Sequence, residues 1–422
     1  MACRRTLALS RLARMTTDRL TSPAPDLPLL RIHGPGDLLQ AVPYLLGFHP
    51  QSSMVIIGLD QNELVVTVRL DLTDLDARGL VGAAITAMHR GGATALVAAI
   101  YDCVPVRGAR PLPWDTAVAC FVRESGRIGC EVIDVLLVAG DRWWSYSCTD
   151  AACCPADGRQ LPDDVSAFSA AATYAGMVAL PDRAALAAVL DPLPDAERDR
   201  LCPPLAEHEN QAVQAVLDGH EARHHRSVKR ALFAAARRSD APAGPAEHID
   251  IVDDDAARFG VALSAHAVRD SLWMAADSGR LDGRMLWRDL ARRLPSPYDA
   301  APLFLYGWCS WRAGNGALAG IAAERAVQSD PTYSAADLLL AALTRGLDPR
   351  RLPKLRLPRS AWPPSCRPPI EARAQNETAC GLTGSGRSDA PVSSPSTAAA
   401  QARPSAIAHT TSEAPRLASP QA

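Results

Sequence analysis

The spacing of hydrophobic and polar positions changes once along this chain, near residue 165. Before that point short strand-like runs alternate with helical ones. Met54 to Leu59 is continuously apolar, and Asp60-Gln61-Asn62 supplies turn chemistry. Glu63 to Leu72 then alternates, with Leu64, Val66, Val68 and Leu70 on one side and Val65, Thr67, Arg69 and Asp71 on the other. A period of two marks a strand with one buried face, and the two runs predict an antiparallel hairpin. A helix is expected at Leu75 to His89, stopped by Gly91-Gly92. A buried strand follows at Thr94 to Tyr101, a helix at Trp114 to Glu124, a strand at Cys130 to Ala139, and a short partner strand at Arg142 to Ser147.

The expected order is β-β-α-β-α-β-β, an α/β domain with a mixed sheet over residues 28–165, preceded by an arm at 1–27. Right-handed crossovers would run the strands ending at Asp71, Asp102 and Ala139 parallel, with the outer two strands as antiparallel additions. Beyond residue 165 the period is helical, predicting an all-α region over 166–350. Helices are expected at 166–178, 182–190, 195–218, 221–238, 253–277, 282–293, 300–313, 317–328 and 334–345. Residues 239–248 (SDAPAGPAEH) read as an internal linker. From Pro353 onward the chain is rich in Pro, Ser, Ala and Thr, the composition of a disordered tail over 351–422.

Composition adds less. Hydrophobic residues are 48% and charged residues 21% of 422, enough apolar surface for a packed core. The formal net charge is -2, so no global field draws the chain to nucleic acid or an anionic membrane. Of 44 basic residues only Lys229 and Lys354 are lysine, a bias that points to a high-GC genome. The 11 cysteines are odd in number and form one local cluster, unlike a secreted disulfide framework. Cys103 and Cys120 lie in apolar runs and read as small core residues. Arg11 and Arg14 interrupt any export-signal core after Arg4-Arg5, and Met15 reads as a more natural start. No run approaches a membrane span. A soluble, cytoplasmic protein is expected.

In an open α/β sheet, ligands bind outside the carboxyl ends of the parallel strands. The expected topology gathers His49, Ser52, Ser53, Arg69, Asp71, Asp102 and Arg142 on that rim. They read as rim salt bridges and caps, or as a site where arginines grip a carboxylate or phosphate. A Ser-His-Asp hydrolytic site is the remote alternative, because no G-x-S-x-G turn is present.

Residues 142–158 read RWWSYSCTDAACCPADG. Cys148, Cys153 and Cys154 fit capping thiols, a disulfide or reactive thiol, or a zinc site completed by Asp150, Asp157 or a distant histidine. The expected place for this cluster is the end of the sheet away from the rim, as a structural clasp. His220 to His224 spells H-E-A-R-H, which reads mainly as a solvated helix face. The metal alternative would take Glu247 or His248 as a third ligand. Asp250, Asp253, Asp254 and Asp255 read as a helix N-terminus complementing the dipole, with a cation site as the alternative. Gly307, Ala319, Ala323, Ala326 and Pro331 follow tetratricopeptide spacing, implying one close-packed helical hairpin, with Trp308 and Trp311 in the core. No nucleotide-binding glycine loop is present, so no nucleotide cofactor is expected.

The segments VPYLLGFHPQSSMVIIGL, VRLDL, DRWWSYSCTDAACCPADG and APLFLYGWCSWRAGNGALAGIAAERAVQSDPTYSAADLL together resemble the actinobacterial domain-of-unknown-function family 4192, over about residues 28–350. The resemblance implies that Pro43 to Pro50, Arg69 with Asp71, and Cys153 to Pro155 are family features. It implies no activity, substrate or cofactor. The expectation is a small-molecule-binding or protein-interaction protein, whose helical half contacts a partner. The alternative is a hydrolase or transferase acting on an anionic small molecule at the rim.

Overall fold

The computed structural model describes residues 14–15, 30–32, 34–61, 63–75, 79–104, 111–162, 167–174, 178–239 and 251–355. The 239–248 linker (past Ser239), the Pro-rich tail, most of the N-terminal arm, Glu247, His248 and Asp250 lie outside these residues. Arg14–Met15 pairs antiparallel with Leu30–Arg31.

A six-stranded sheet organises the fold. Its strands are β1 (Ser53–Asp60), β2 (Glu63–Asp71), β3 (Ala95–Asp102), β4 (Glu131–Ala139), β5 (Arg142–Ser145) and β6 (Arg159–Gln160), arranged β2-β1-β3-β4-β5-β6. The hairpin forms as expected, and β2, β3 and β4 run the same way. β1 differs from expectation: it is inserted between β2 and β3, antiparallel to both, so only β3 and β4 are parallel neighbours. The physical reason lies in β1 itself. Met54, Val55, Ile56, Ile57 and Leu59 are all buried, and a strand apolar on both faces belongs inside a sheet. The half-polar β2 takes the edge.

Helix α1 (Pro35–Leu46) precedes the sheet, while α2 (Leu80–Arg90) and α3 (Asp115–Ile128) form the crossovers. A short 3-10 turn at Leu72–Asp74 separates β2 from α2, so the helix starts later than the sequence pattern predicts. The two faces of the sheet feed two cores. Met54, Ile56, Leu96, Ala98, Ile100, Val135 and Leu137 pack with Val81, Ile85, Met88, Val118 and Phe121 of α2 and α3. Val55, Ile57, Val97, Ala99, Leu136, Val138 and Trp143 join α1 and the helices after residue 180 in one larger cluster.

Those later helices are α4 (Ala167–Tyr174), α5 (Arg183–Ala188), α6 (Asp195–Arg198), α7 (Cys202–Leu217), α8 (Glu221–Ser239), α9 (Asp253–Ser264), α10 (His266–Asp277), α11 (Arg284–Arg293), α12 (Ala300–Arg312), α13 (Gly316–Ser329) and α14 (Ser334–Thr344). Two expected helices are divided. Pro203 and Pro204 restart the chain at the first turn of α7, where a missing N–H costs nothing. Ala265 adopts extended backbone between α9 and α10, a break no glycine or proline announces. The α12–α13 hairpin is present: a Cβ on Gly307 would lie 3.2 Å from Ala319 O and from Ala322 Cβ. Ala319, Ala322, Ala323 and Ala326 are fully buried there, and Trp308 and Trp311 are core.

Asp277 is a deeply buried charge of the helical core: its side chain is 0% exposed and pairs with Arg312. It also accepts from Trp308 Nε1 at 3.2 Å, Arg312 Nε at 2.6 Å and Leu355 N at 2.5 Å. Asp277→Ala would leave Arg312 half-buried without its counter-ion. A loss of about 3–5 kcal/mol is expected by urea denaturation. A loss under about 1 kcal/mol would show that water replaces the carboxylate there.

Candidate functional site

The left-handed Gly47 (φ 81) ends α1 and turns Phe48 onto the sheet, where it bridges to Leu180. Ser52 follows, also left-handed (φ 41), and Ser53 enters β1. Cross-strand register then sets the rim. Ser53 stands opposite both Asp71 and Tyr101, while Asp102 stands level with Ala139, and Ala139 with Arg142. All the expected strand-borne residues therefore share one end of the sheet, but they do not form one site. From β2 to β5 the rim spans roughly 19 Å at ordinary strand spacing, and the pleat divides it between two faces.

On one face, shared with the larger core, lie Ser53, Arg69, Asp71 and Tyr101. Arg69 bonds Asp71 at 2.6 Å and reaches the Gln51 carbonyl at 3.4 Å. Its guanidinium lies 5.9 Å from the Phe48 ring centroid. Three buried polar atoms on this face have no hydrogen-bond partner among the described residues: Ser53 Oγ, Arg69 Nε and Tyr101 Oη. Burial pushes the Tyr101 phenol far above its ordinary pKa, so it stays a neutral donor. Buried polar groups are otherwise paired almost everywhere in folded proteins. Other buried side-chain atoms, among them Trp273 Nε1 and Ser310 Oγ, also lack a partner among the described residues; these three are set apart by lying on neighbouring strands at one rim.

On the other face, Asp102 accepts from Trp114 Nε1 at 2.7 Å and from Val104 N at 3.0 Å. Arg142 donates to the carbonyls of Asp157 and Gly158, at 3.3 and 3.1 Å. Both are structural latches. Ser52 Oγ lies 3.4 Å from Cys103 Sγ, and His49 is exposed, anchored by its backbone N–H to Leu180 O. Cys103 is exposed past the end of β3 rather than part of the core, and Cys120 is half-buried; the buried thiols are Cys130 and Cys309. The residue that sequence reasoning missed is Tyr101. Its only signal is a polar tip at the end of an apolar strand, one pleat step from Asp102.

The three clustered cysteines do come together: Cys148, Cys153 and Cys154 each offer a sulfur, all within 4.8 Å of one another. They follow the end of β5 remote from Arg142, which lies level with the middle of β4. Burial raises the Cys148 thiol, but hydrogen bonds from Cys154, the Asp150 backbone and Cys153 outweigh it and bring its pKa below the ordinary thiol value. Burial, joined by the Cys148 charge, raises Cys153 and Cys154. Asp150 supplies a backbone carbonyl to Cys153 N and Cys154 N. Asp150 and Asp157 do not join the sulfurs as carboxylate ligands among the described residues.

His220 lies just before α8, at its cap, while His224 lies within the first turn and a half of the helix. Burial lowers the His224 pKa, helped by the nearby His225, His208 and Arg258. Asp253, Asp254 and Asp255 occupy the first turn of α9 and pair with Arg293, His208 and Arg258, as a charged helix start should.

The two halves of the rim should respond oppositely to mutation. Tyr101→Phe removes an unpartnered hydroxyl and should leave stability unchanged or raise it by up to about 1 kcal/mol. Asp102→Ala strands Trp114 Nε1 and should lower it by about 1–2 kcal/mol. Paired thermal and urea melts check this; a Tyr101→Phe loss as large as that of Asp102→Ala would mean the phenol is bonded within the fold.

No helix among the described residues is long and apolar enough to cross a membrane. No curated protein and no solved structure is significantly similar to the chain. Residues 35–350 match the family described as Domain of unknown function (DUF4192), covering the sheet, its flanking helices and the helical region. The chain belongs to that family.

Proposed function

We propose that the protein is a cytoplasmic binding protein whose sheet rim takes a small molecule carrying a carboxylate or phosphate. The observation that carries this reading is the set of three buried, unpartnered groups at Ser53, Arg69 and Tyr101. Each can donate: a hydroxyl, a guanidinium N–H and a neutral phenol. An anionic oxygen cluster is a partner that three donors on one face of the rim can satisfy, and the Arg69 charge strengthens the bond. Asp71 stays beside Arg69 and holds its guanidinium in place at 2.6 Å.

Binding is preferred to hydrolysis or group transfer at the same rim because the nearby carboxylates are engaged. Asp71 holds Arg69, and Asp102 holds Trp114 on the opposite face. The sequence also offers no phosphate loop or nucleophile turn.

A thermal-shift panel of carboxylates, phosphate monoesters and inorganic phosphate tests the reading. A ligand that binds only the folded state raises its stability by mass action, about 2.7 kcal/mol at a hundredfold excess over Kd. At least one compound should raise the Tm of the native chain, lose its effect in Arg69→Met and weaken in Tyr101→Phe. A panel with no shift at millimolar concentration, or shifts that persist in Arg69→Met, contradicts the proposal.

A further inference from the structure

The three-cysteine cluster is built separately from the rim, and its surroundings hold it in place without help from the sulfurs. At one end, Ser145 Oγ donates to the buried Asp134 carboxylate at 2.8 Å and accepts from Ser147 N and Cys148 N at 3.2 and 3.0 Å. At the other end, Trp144 Nε1 donates to Ala156 O at 3.0 Å. Gly158 (φ +75) lies so close to the same indole that a Cβ there would sit 2.4 Å from the ring. Between these anchors the Asp150 carbonyl accepts from both Cys153 N and Cys154 N, at 3.1 and 2.6 Å. The turn thereby carries both of its thiols to the Cys148 side.

We propose that Cys148, Cys153 and Cys154 together bind one zinc ion, leaving a fourth coordination position open to water. A disulfide needs two sulfurs and leaves the third as a bystander; here all three lie within 4.8 Å of one another. Zinc–sulfur bonds of about 2.3 Å in a tetrahedral arrangement separate the sulfurs by roughly 3.8 Å, within reach of small side-chain rotations. Three thiolates with Zn²⁺ carry a net charge of minus one. The Arg159 guanidinium, which donates to Cys153 O at 3.3 Å, stands beside that charge. Binding releases three thiol protons and involves no oxidation or reduction, so affinity falls as the pH drops. No His, Asp or Glu among the described residues joins the three sulfurs, so the centre lacks a base. Its role is to cross-link Cys148 to the Cys153–Cys154 turn, two stretches that the hydrogen bonds anchor separately.

Cobalt titration of the full chain, reduced and stripped of metal, tests this. The expected result is one Co²⁺ per chain, thiolate-to-cobalt charge-transfer absorption, and displacement by Zn²⁺. The absorption should vanish in Cys148→Ser/Cys153→Ser. Ser145→Ala keeps all three sulfurs and should weaken binding by roughly tenfold or more. Absence of charge transfer in the folded native chain overturns the proposal, and that result does not depend on any variant folding. Charge transfer that survives in the double variant overturns it too. A disulfide between two of these cysteines in the air-exposed chain, with no cobalt uptake after reduction, also overturns it and assigns the cluster to redox chemistry.

Discussion

The fold rests on the need to cover β1 on both faces. Met54 and Ile56 point to one side and Val55 and Ile57 to the other, and all four are 0–1% exposed. Neither face can be left in water: each large side chain contributes about 1.5–3 kcal/mol when buried. The two crossover helices cover one face. The other face is covered by α1 and the helical region, whose apolar residues belong to the same cluster as Val55, Ile57 and Val97. The last described stretch also returns to the sheet, where Arg350 donates to the Leu64 and Val65 carbonyls of the edge strand. That contact occupies backbone groups which an edge would otherwise offer to another chain.

Placing β1 centrally also fixes the rim. Ser53 is the first residue of a fully buried strand, so its hydroxyl is carried into the core whether or not a partner awaits it. Its two cross-strand neighbours, Asp71 and Tyr101, come from strands on either side. Leaving Ser53 Oγ, Arg69 Nε and Tyr101 Oη unpaired costs the fold stability, and apolar replacements of similar shape would avoid that cost. The anionic ligand we propose would supply their missing partners. On the opposite face Asp102, Arg142, Trp114 and Trp144 are hydrogen-bonded within the fold itself, and the same logic makes them structural. The clasp loop draws on this side.

Sequence patterning made the elements legible, because periods of two and 3.6 are local properties. It also placed the rim residues at one end of the sheet, since strand direction follows from crossover rules. It did not show that β1 slips between β2 and β3, which depends on how two-sided burial is shared among strands. Nor did it show that Arg69 and Asp102 face opposite sides, because face assignment needs the register across β1. Tyr101 was hidden among apolar neighbours for the same reason. The two-residue β6 has no periodicity to read; it exists because Arg159 and Gln160 return beside Trp143 and Arg142 after the cysteine loop. In the H-E-A-R-H spelling His220 caps the helix and His224 lies within it, a boundary the local pattern does not mark.

The function of the rim depends on what meets the three unpartnered donors. A high-resolution crystal structure of the chain, purified without exchange into phosphate or carboxylate buffer, addresses this directly. The expected result is electron density for a bound small molecule, with oxygen atoms within hydrogen-bond distance of Ser53 Oγ, Arg69 Nε and Tyr101 Oη. Density showing those same atoms bonded to protein groups, with no room for a ligand between them, would contradict it.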